Sequence, residues 1–226
     1  MKTMLILLTL ITSVTINNEL KRKINLVKSK TDLPFELTKG IRPYNFRVDL
    51  IELKNHLSFH VYEDIGGKKK LKHDYVSCST FQRFNINNKN IELLDIDLEI
   101  GEFWRHILIT FDLNGQPIDT LEVSINGTSS LGGFTSISAK QYRLNENLEL
   151  EVYQLIPTAG KIIEFVSKWE HAELQRIDTR YLIDENGKFV KKSETRYKPQ
   201  TYDINVLSQK EYNIWNGSEI KLEQKE

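Results

Sequence analysis

Apolar and polar side chains alternate one for one along several stretches of this chain, and that two-residue rhythm limits the possible folds more than any other feature. Phe46, Val48 and Leu50 alternate with Asn45, Arg47 and Asp49, and Leu57, Phe59 and Val61 with His56, Ser58 and His60. Leu94, Ile96, Leu98 and Ile100 alternate with Asp95, Asp97 and Glu99, and Leu148, Leu150 and Val152 with Glu149, Glu151 and Tyr153. Successive side chains of a strand point to opposite faces, whereas a helix would spread these acids around its whole girth. The rhythm predicts antiparallel strands with one face inward and one face wet.

Turn signals separate the runs: Asn85 to Asn90, Asp112-Leu-Asn-Gly115, Asn145-Glu-Asn147 and Asp184-Glu-Asn-Gly187. Asn and Gly tolerate positive φ, which a tight hairpin requires. Gly66-Gly67, followed by Lys68 to Lys70, reads as an exposed loop. Thr128 to Ser136, rich in Ser and Gly, reads as the most flexible internal loop. The expected fold is all-β, mainly an antiparallel meander of hairpins. Its sheet is curled or sandwich-like, with at most one short N-terminal helix. That helix is expected to be exposed and to carry Ile24 and Val27, three apart, before Pro34 ends it.

Near the start, Lys2 precedes an apolar run from Thr3 to Ile16, the order of an export signal. The run is shorter than the roughly 20 residues that span a bilayer as a helix. The chain divides into a signal peptide over 1–15, an N-terminal segment over 16–40 and a single antiparallel β domain over 41–226. An extracytoplasmic location follows, periplasmic or secreted, with no membrane span after signal removal.

Of 226 residues, 39% are hydrophobic, enough for a sizeable core. The 31 basic and 31 acidic residues cancel, which argues against nucleic acid or an anionic membrane surface as partner. Cys78 is the single cysteine, so no intrachain disulfide forms and the fold rests on its core. Within Tyr75-Val-Ser-Cys-Ser-Thr-Phe81 it reads as a small buried side chain.

Chemistry-bearing residues are sparse. His56 and His60 lie four apart on a strand, about 13 Å, too far to share a metal. His73, His106 and His171 are dispersed, and no metal or cofactor is expected. Asp95, Asp97 and Glu99 form a carboxylate ladder with neighbours about 6.5–7 Å apart. That spacing falls in the range of an inverting glycosidase pair, and of a weak cation site, yet it reads best as a solvated face. Lys191, Arg196 and Lys198 are candidate cross-strand partners for it. The Asp-x-Asn-Gly turns lack the later ligands of a calcium loop. Trp104 with Arg105 and His106, and Trp169 with Glu170 and His171, are the two dense aromatic groups. Trp104, His106 and Trp169 are the candidate ligand-binding residues. No nucleophile elbow, phosphate loop or dinucleotide fingerprint occurs, so no catalytic residue is assigned.

Three segments resemble one group of proteins: Asp32-Leu-Pro-Phe35, the run from Ile107 to Val123, and Tyr181-Leu-Ile-Asp-Glu-Asn-Gly-Lys-Phe-Val190. They are similar to segments of uncharacterised exported β-rich proteins of Bacteroidetes. The resemblance implies an envelope location and a β-rich fold, and no activity. Many such proteins carry a lipid-anchoring Cys after the signal, which this chain lacks. Asp119-Thr120-Leu121 is similar to the O-glycosylation pattern of that phylum.

Three functions fit the sequence. The first is a non-catalytic exported β protein that binds a ligand or partner in the cell envelope. The second is a secreted, glycosidase-like hydrolase using Asp95, Asp97 or Glu170. The third is a structural envelope component that pairs through a sheet edge.

Overall fold

A computed structural model describes residues 20–27, 30–37, 62–65, 68–71, 76–88, 90–100, 103–131, 134–137, 139–157, 163–164, 171–203, 206–207, 209 and 212–216. The strands expected over Tyr44–Leu50 and Leu57–Val61 lie outside these residues. So do the apolar run before Asn17, His56, His60 and His73, and the tail from Ser218. Within the described residues the structure is mostly strand, with one short helix and no closed barrel.

Alternation builds the centre. Strands β5 (Val76–Phe84), β6 (Ile91–Ile100), β7 (Phe103–Asp112) and β8 (Pro117–Leu131) follow one another as antiparallel neighbours. Strands β10 (Ala139–Leu144), β11 (Glu149–Pro157), β13 (His171–Ile183) and β14 (Phe189–Arg196) form a second meander. The two meet at a thin seam, where β8 and β10 share one register pair, Lys140 with Ile125. Beyond it β2 (Phe35–Leu37) takes the place beside β10, with Leu37 opposite Tyr142. One 13-stranded sheet results. It also takes in β1 (Lys30–Thr31) parallel to β5, and β15 (Gln200–Asp203) on β13.

Parts of two expected loops are strands, while Gly66 and Gly67 lie outside the described residues. Thr128–Leu131 continues β8 and pairs with β9 (Phe134–Ile137), which itself pairs with β12 (Ile163–Glu164). Ser and Thr serve as well in a ladder as in a loop, and only the paired strand decides. Lys68 to Lys70 lie in β4 (Lys68–Leu71), paired with β3 (Tyr62–Ile65) in a separate sheet.

The turn signals hold. Asp112, Asn145 and Asp184 each accept two backbone N–H groups through Oδ1, two and four residues on, at 2.8–3.0 Å. Each turn ends on a positive φ: 80° at Gly115, 81° at Gly187 and 62° at Leu148. Leu148, expected inside a strand, therefore sits in the turn. A left-handed non-glycine residue costs roughly 1–2 kcal/mol, offset here because its side chain packs on the core.

The strands bury both faces. Leu94, Ile96 and Leu98 pack with Ile107, Ile109 and Phe111 beneath helix α1 (residues 20–26), which contributes Leu20 and Ile24, with Val27 just after. The helix expected to be exposed is thus a lid whose apolar side faces the sheet. Leu93 and Leu108 point the other way, into a core shared with Phe84, Val123, Tyr142, Leu150, Val152 and Ile183. The sheet curls to enclose this inner core. The β13–β14 turn is latched to the β7–β8 hairpin. Thr110 Oγ1 donates to Gly187 O at 2.6 Å, and Phe189 N donates to Asp119 Oδ2 at 3.0 Å. A third cluster lies on the outer face, where Leu207 and Ile214 pack on Tyr153, Leu155, Leu174 and Tyr202. Cys78 is buried under α1, as expected.

Candidate functional site

The carboxylate ladder is where the structure departs furthest from the sequence reading. Asp95 has no exposure and Asp97 only 5%, so the expected wet face is interior at these two positions. Strand β6 has neighbours on both edges and a core on both faces, and alternation then reports two environments that are both dry. Lys191 and Arg196, the expected partners, instead pair with Glu194 on their own strand. They hold its carboxyl below the usual carboxylate range by hydrogen bonds and charge.

Asp95 is held by a chain of hydrogen bonds drawn from five strands. Tyr142 donates its hydroxyl to Asp95 Oδ2 at 2.6 Å. Gln82 Nε2 donates to that hydroxyl at 3.3 Å, and Thr31 Oγ1 to Gln82 Oε1 at 3.3 Å. His106 Nδ1 lies 3.0 Å from Asp95 Oδ1. With Asp95 ionised, that nitrogen carries the proton and donates. Phe81 meets the His106 ring edge-on, with centroids 4.5 Å apart. Burial, and then the Asp95 charge, raise the Tyr142 hydroxyl well above its ordinary pKa. Tyr142 stands at the seam on β10 while Asp95 stands on β6, so this bond ties the two meanders together.

Ser124 is directly opposite His106 on β8. Asp, His and Ser on three adjacent strands are the residue types of a nucleophilic triad. The Ser124 hydroxyl, however, donates to Lys140 O at 2.6 Å, and the residue has no exposure. No acyl group can reach it. Nearby, Glu122 bridges Arg105 at 3.2 Å and Lys140 at 3.4 Å. Burial lowers the Lys140 pKa against the opposing pull of Glu122.

The outer face carries a second polar cluster, around Arg176. Its guanidinium grips Asp178 at 2.7 and 2.9 Å and donates to Ile214 O at 2.8 Å. It lies 5.3 Å from the Tyr153 ring and 5.5 Å from that of Tyr197. Burial works against its charge, but the Asp178 contacts outweigh this and its pKa is raised. Burial also raises Tyr153, and it pushes Tyr212 up to about 12.

Of the candidate ligand residues, His106 is interior and bonded to Asp95. Trp104 lies in β7 opposite Asn126 and Glu99. Trp169 and Glu170 lie outside the described residues, and His171 opens β13. Among the described residues, no three His, Cys, Asp or Glu side chains are placed to hold a metal ion. Sequence reasoning missed Tyr142, Gln141, Arg176 and Trp215. Gln141, Tyr142 and Tyr153 belong to alternating runs, but the pattern does not say which polar atoms will meet. No family model, curated protein or solved structure shows a significant match to the chain.

Proposed function

We propose that this chain is a non-catalytic, exported β protein that binds a ligand or partner in the cell envelope. One observation carries the non-catalytic part. Asp95, the acid a hydrolase would need in a cleft, is fully buried, and both its oxygens are occupied by Tyr142 and His106. An acid so placed meets no substrate and serves as a hydrogen-bond hub. Export is supported by Lys2 and the apolar run to Ile16. Among the described residues no helix is long and apolar enough to cross a membrane. Pairing through the β14 edge is disfavoured by the charges it presents: Lys191, Lys192 and Glu194 are exposed along it.

The test has two arms. A fusion of residues 1–30 to a phosphatase that is active only outside the cytoplasm should give activity, and an inactive fusion refutes export. Purified protein should turn over no chromogenic glycoside in a broad panel. Turnover that vanishes in D95N would establish the hydrolase instead.

A further inference from the structure

The segment from Tyr212 to Asn216 lies on the outer face, where Ile214 joins the third buried cluster. Its backbone is read by side chains. Gln141, 3% exposed on β10, uses both ends of its amide. Nε2 donates to Tyr212 O at 3.1 Å, and Oε1 accepts from Ile214 N at 2.8 Å. Arg176 Nη1 donates to Ile214 O at 2.8 Å. A donor–acceptor amide that reaches from the Tyr212 carbonyl to the Ile214 N–H, with a guanidinium on the Ile214 carbonyl, recognises backbone whatever the side chains. Specificity then falls to the anchor. Ile214 is 1% exposed and shares its buried cluster with Tyr153, Leu155 and Leu174. Trp215 follows, half-buried, with its ring 5.5 Å from Tyr153 and beneath the Arg143 guanidinium at 5.7 Å.

We infer that this seat on β10, β11 and β13 is a peptide-recognition site, which the chain's own 212–216 segment fills in a turn closed by Asn213, and which takes in trans a peptide carrying an aliphatic anchor followed by an aromatic residue. Backbone hydrogen bonds giving affinity while one pocket gives specificity is a recurring mode of peptide capture. Here side chains replace the sheet edge. The tethered segment competes at an effective concentration in the millimolar range, so a free peptide binds weakly until the tether is disarmed. The inference rests on the non-catalytic binding reading and names the ligand class for it.

The test uses the full chain and a fluorescein-labelled peptide spanning Tyr212 to Asn216, read by fluorescence polarisation. Ile214→Asp places a charge in an apolar pocket and should unseat the tethered segment. The peptide should bind that variant at least tenfold more tightly than the unmodified chain. Adding Gln141→Ala should weaken binding at least tenfold again. Equal binding to all three chains, or none to a folded I214D, overturns the proposal. Should I214D fail to fold, hydrogen exchange on the unmodified chain decides. The Ile214 amide should exchange at least tenfold faster than the paired amides of β10 and β11, and millimolar unlabelled peptide should accelerate it. Exchange only at the rate of global unfolding overturns the proposal. Failure here removes the peptide class and leaves the binding reading standing, since that reading falls to the turnover test.

Discussion

The two faces of the one sheet are covered in different ways. The inner face covers itself: the sheet curls, and two meanders meet over Leu93, Leu108, Tyr142 and Leu150. Within that core the Asp95 hub and the Gly187 latch fix how far the curl closes. The outer face is covered by chain that is not part of the ladder, α1 at one end and the 212–216 segment at the other. The difference teaches where stability and adaptability lie. Removing an inner group opens the whole fold, whereas an outer cover can lift while the ladder stays intact.

The contrast breaks hardest at Asp95. Asp95→Ala strands Tyr142 and His106 in a dry core and should cost about 3–5 kcal/mol, the range for breaking a buried pair. Urea denaturation should show this as a loss of global stability, and a cost under 1 kcal/mol would mean the hub is wet. On the outer face, Leu20→Ala removes a fully buried side chain from the sheet-facing side of α1. About 2–4 kcal/mol is expected from the lost burial and cavity. If the outer cover is a separable unit, hydrogen exchange should rise first at Ile24 and Val27.

Arg176→Met keeps the stem on Tyr153 and removes the charged hydrogen bonds. It should cost about 1.5–3 kcal/mol, seen as release of the 212–216 segment and a red-shifted Trp215 emission. An unchanged emission would place the hold elsewhere. Tyr142→Phe removes the bonds to Asp95 and from Gln82 and should cost about 1.5–3 kcal/mol at neutral pH, and its pH dependence is diagnostic. The folded state raises the Tyr142 pKa. The unfolded chain therefore gives up that proton first, from about pH 10 upward. The contribution is whole below that pH and is lost above it. Stability of the native chain should fall more steeply than that of Y142F, by about 1.4 kcal/mol per pH unit. Tyr212 on the outer face, pushed up to about 12 by burial, should titrate near that value. Equal slopes in the two proteins would show that Tyr142 reaches solvent.

Much of the fold was legible because it is local. The rhythm over Leu94–Ile100 marks a strand wherever the strand lies, and Asp112-Leu-Asn-Gly115 and Asp184-Glu-Asn-Gly187 close turns with their own atoms. The site was much less legible. Asp95 reads as a wet acid because an alternating run does not reveal whether its second face meets water or another core. His106 reads as a ligand-binding candidate because Trp104 and Arg105 precede it. Tyr142, the hydroxyl partner of Asp95, lies 47 positions from it, at a seam that no spacing marks.

The sequence by itself determined the strands through Leu94–Ile100 and Leu150–Val152, the three Asx-closed turns, the short helix and the burial of Cys78, since each rests on side-chain alternation, turn chemistry or a nearby apolar spacing. Only the tertiary structure decided that β6 is dry on both faces, that Tyr142 meets Asp95, and that Gln141 and Arg176 hold the backbone of residues 212–214. Those contacts join residues tens of positions apart. They depend on sheet order and curl, which a period of two leaves open because every order of the same strands satisfies it equally.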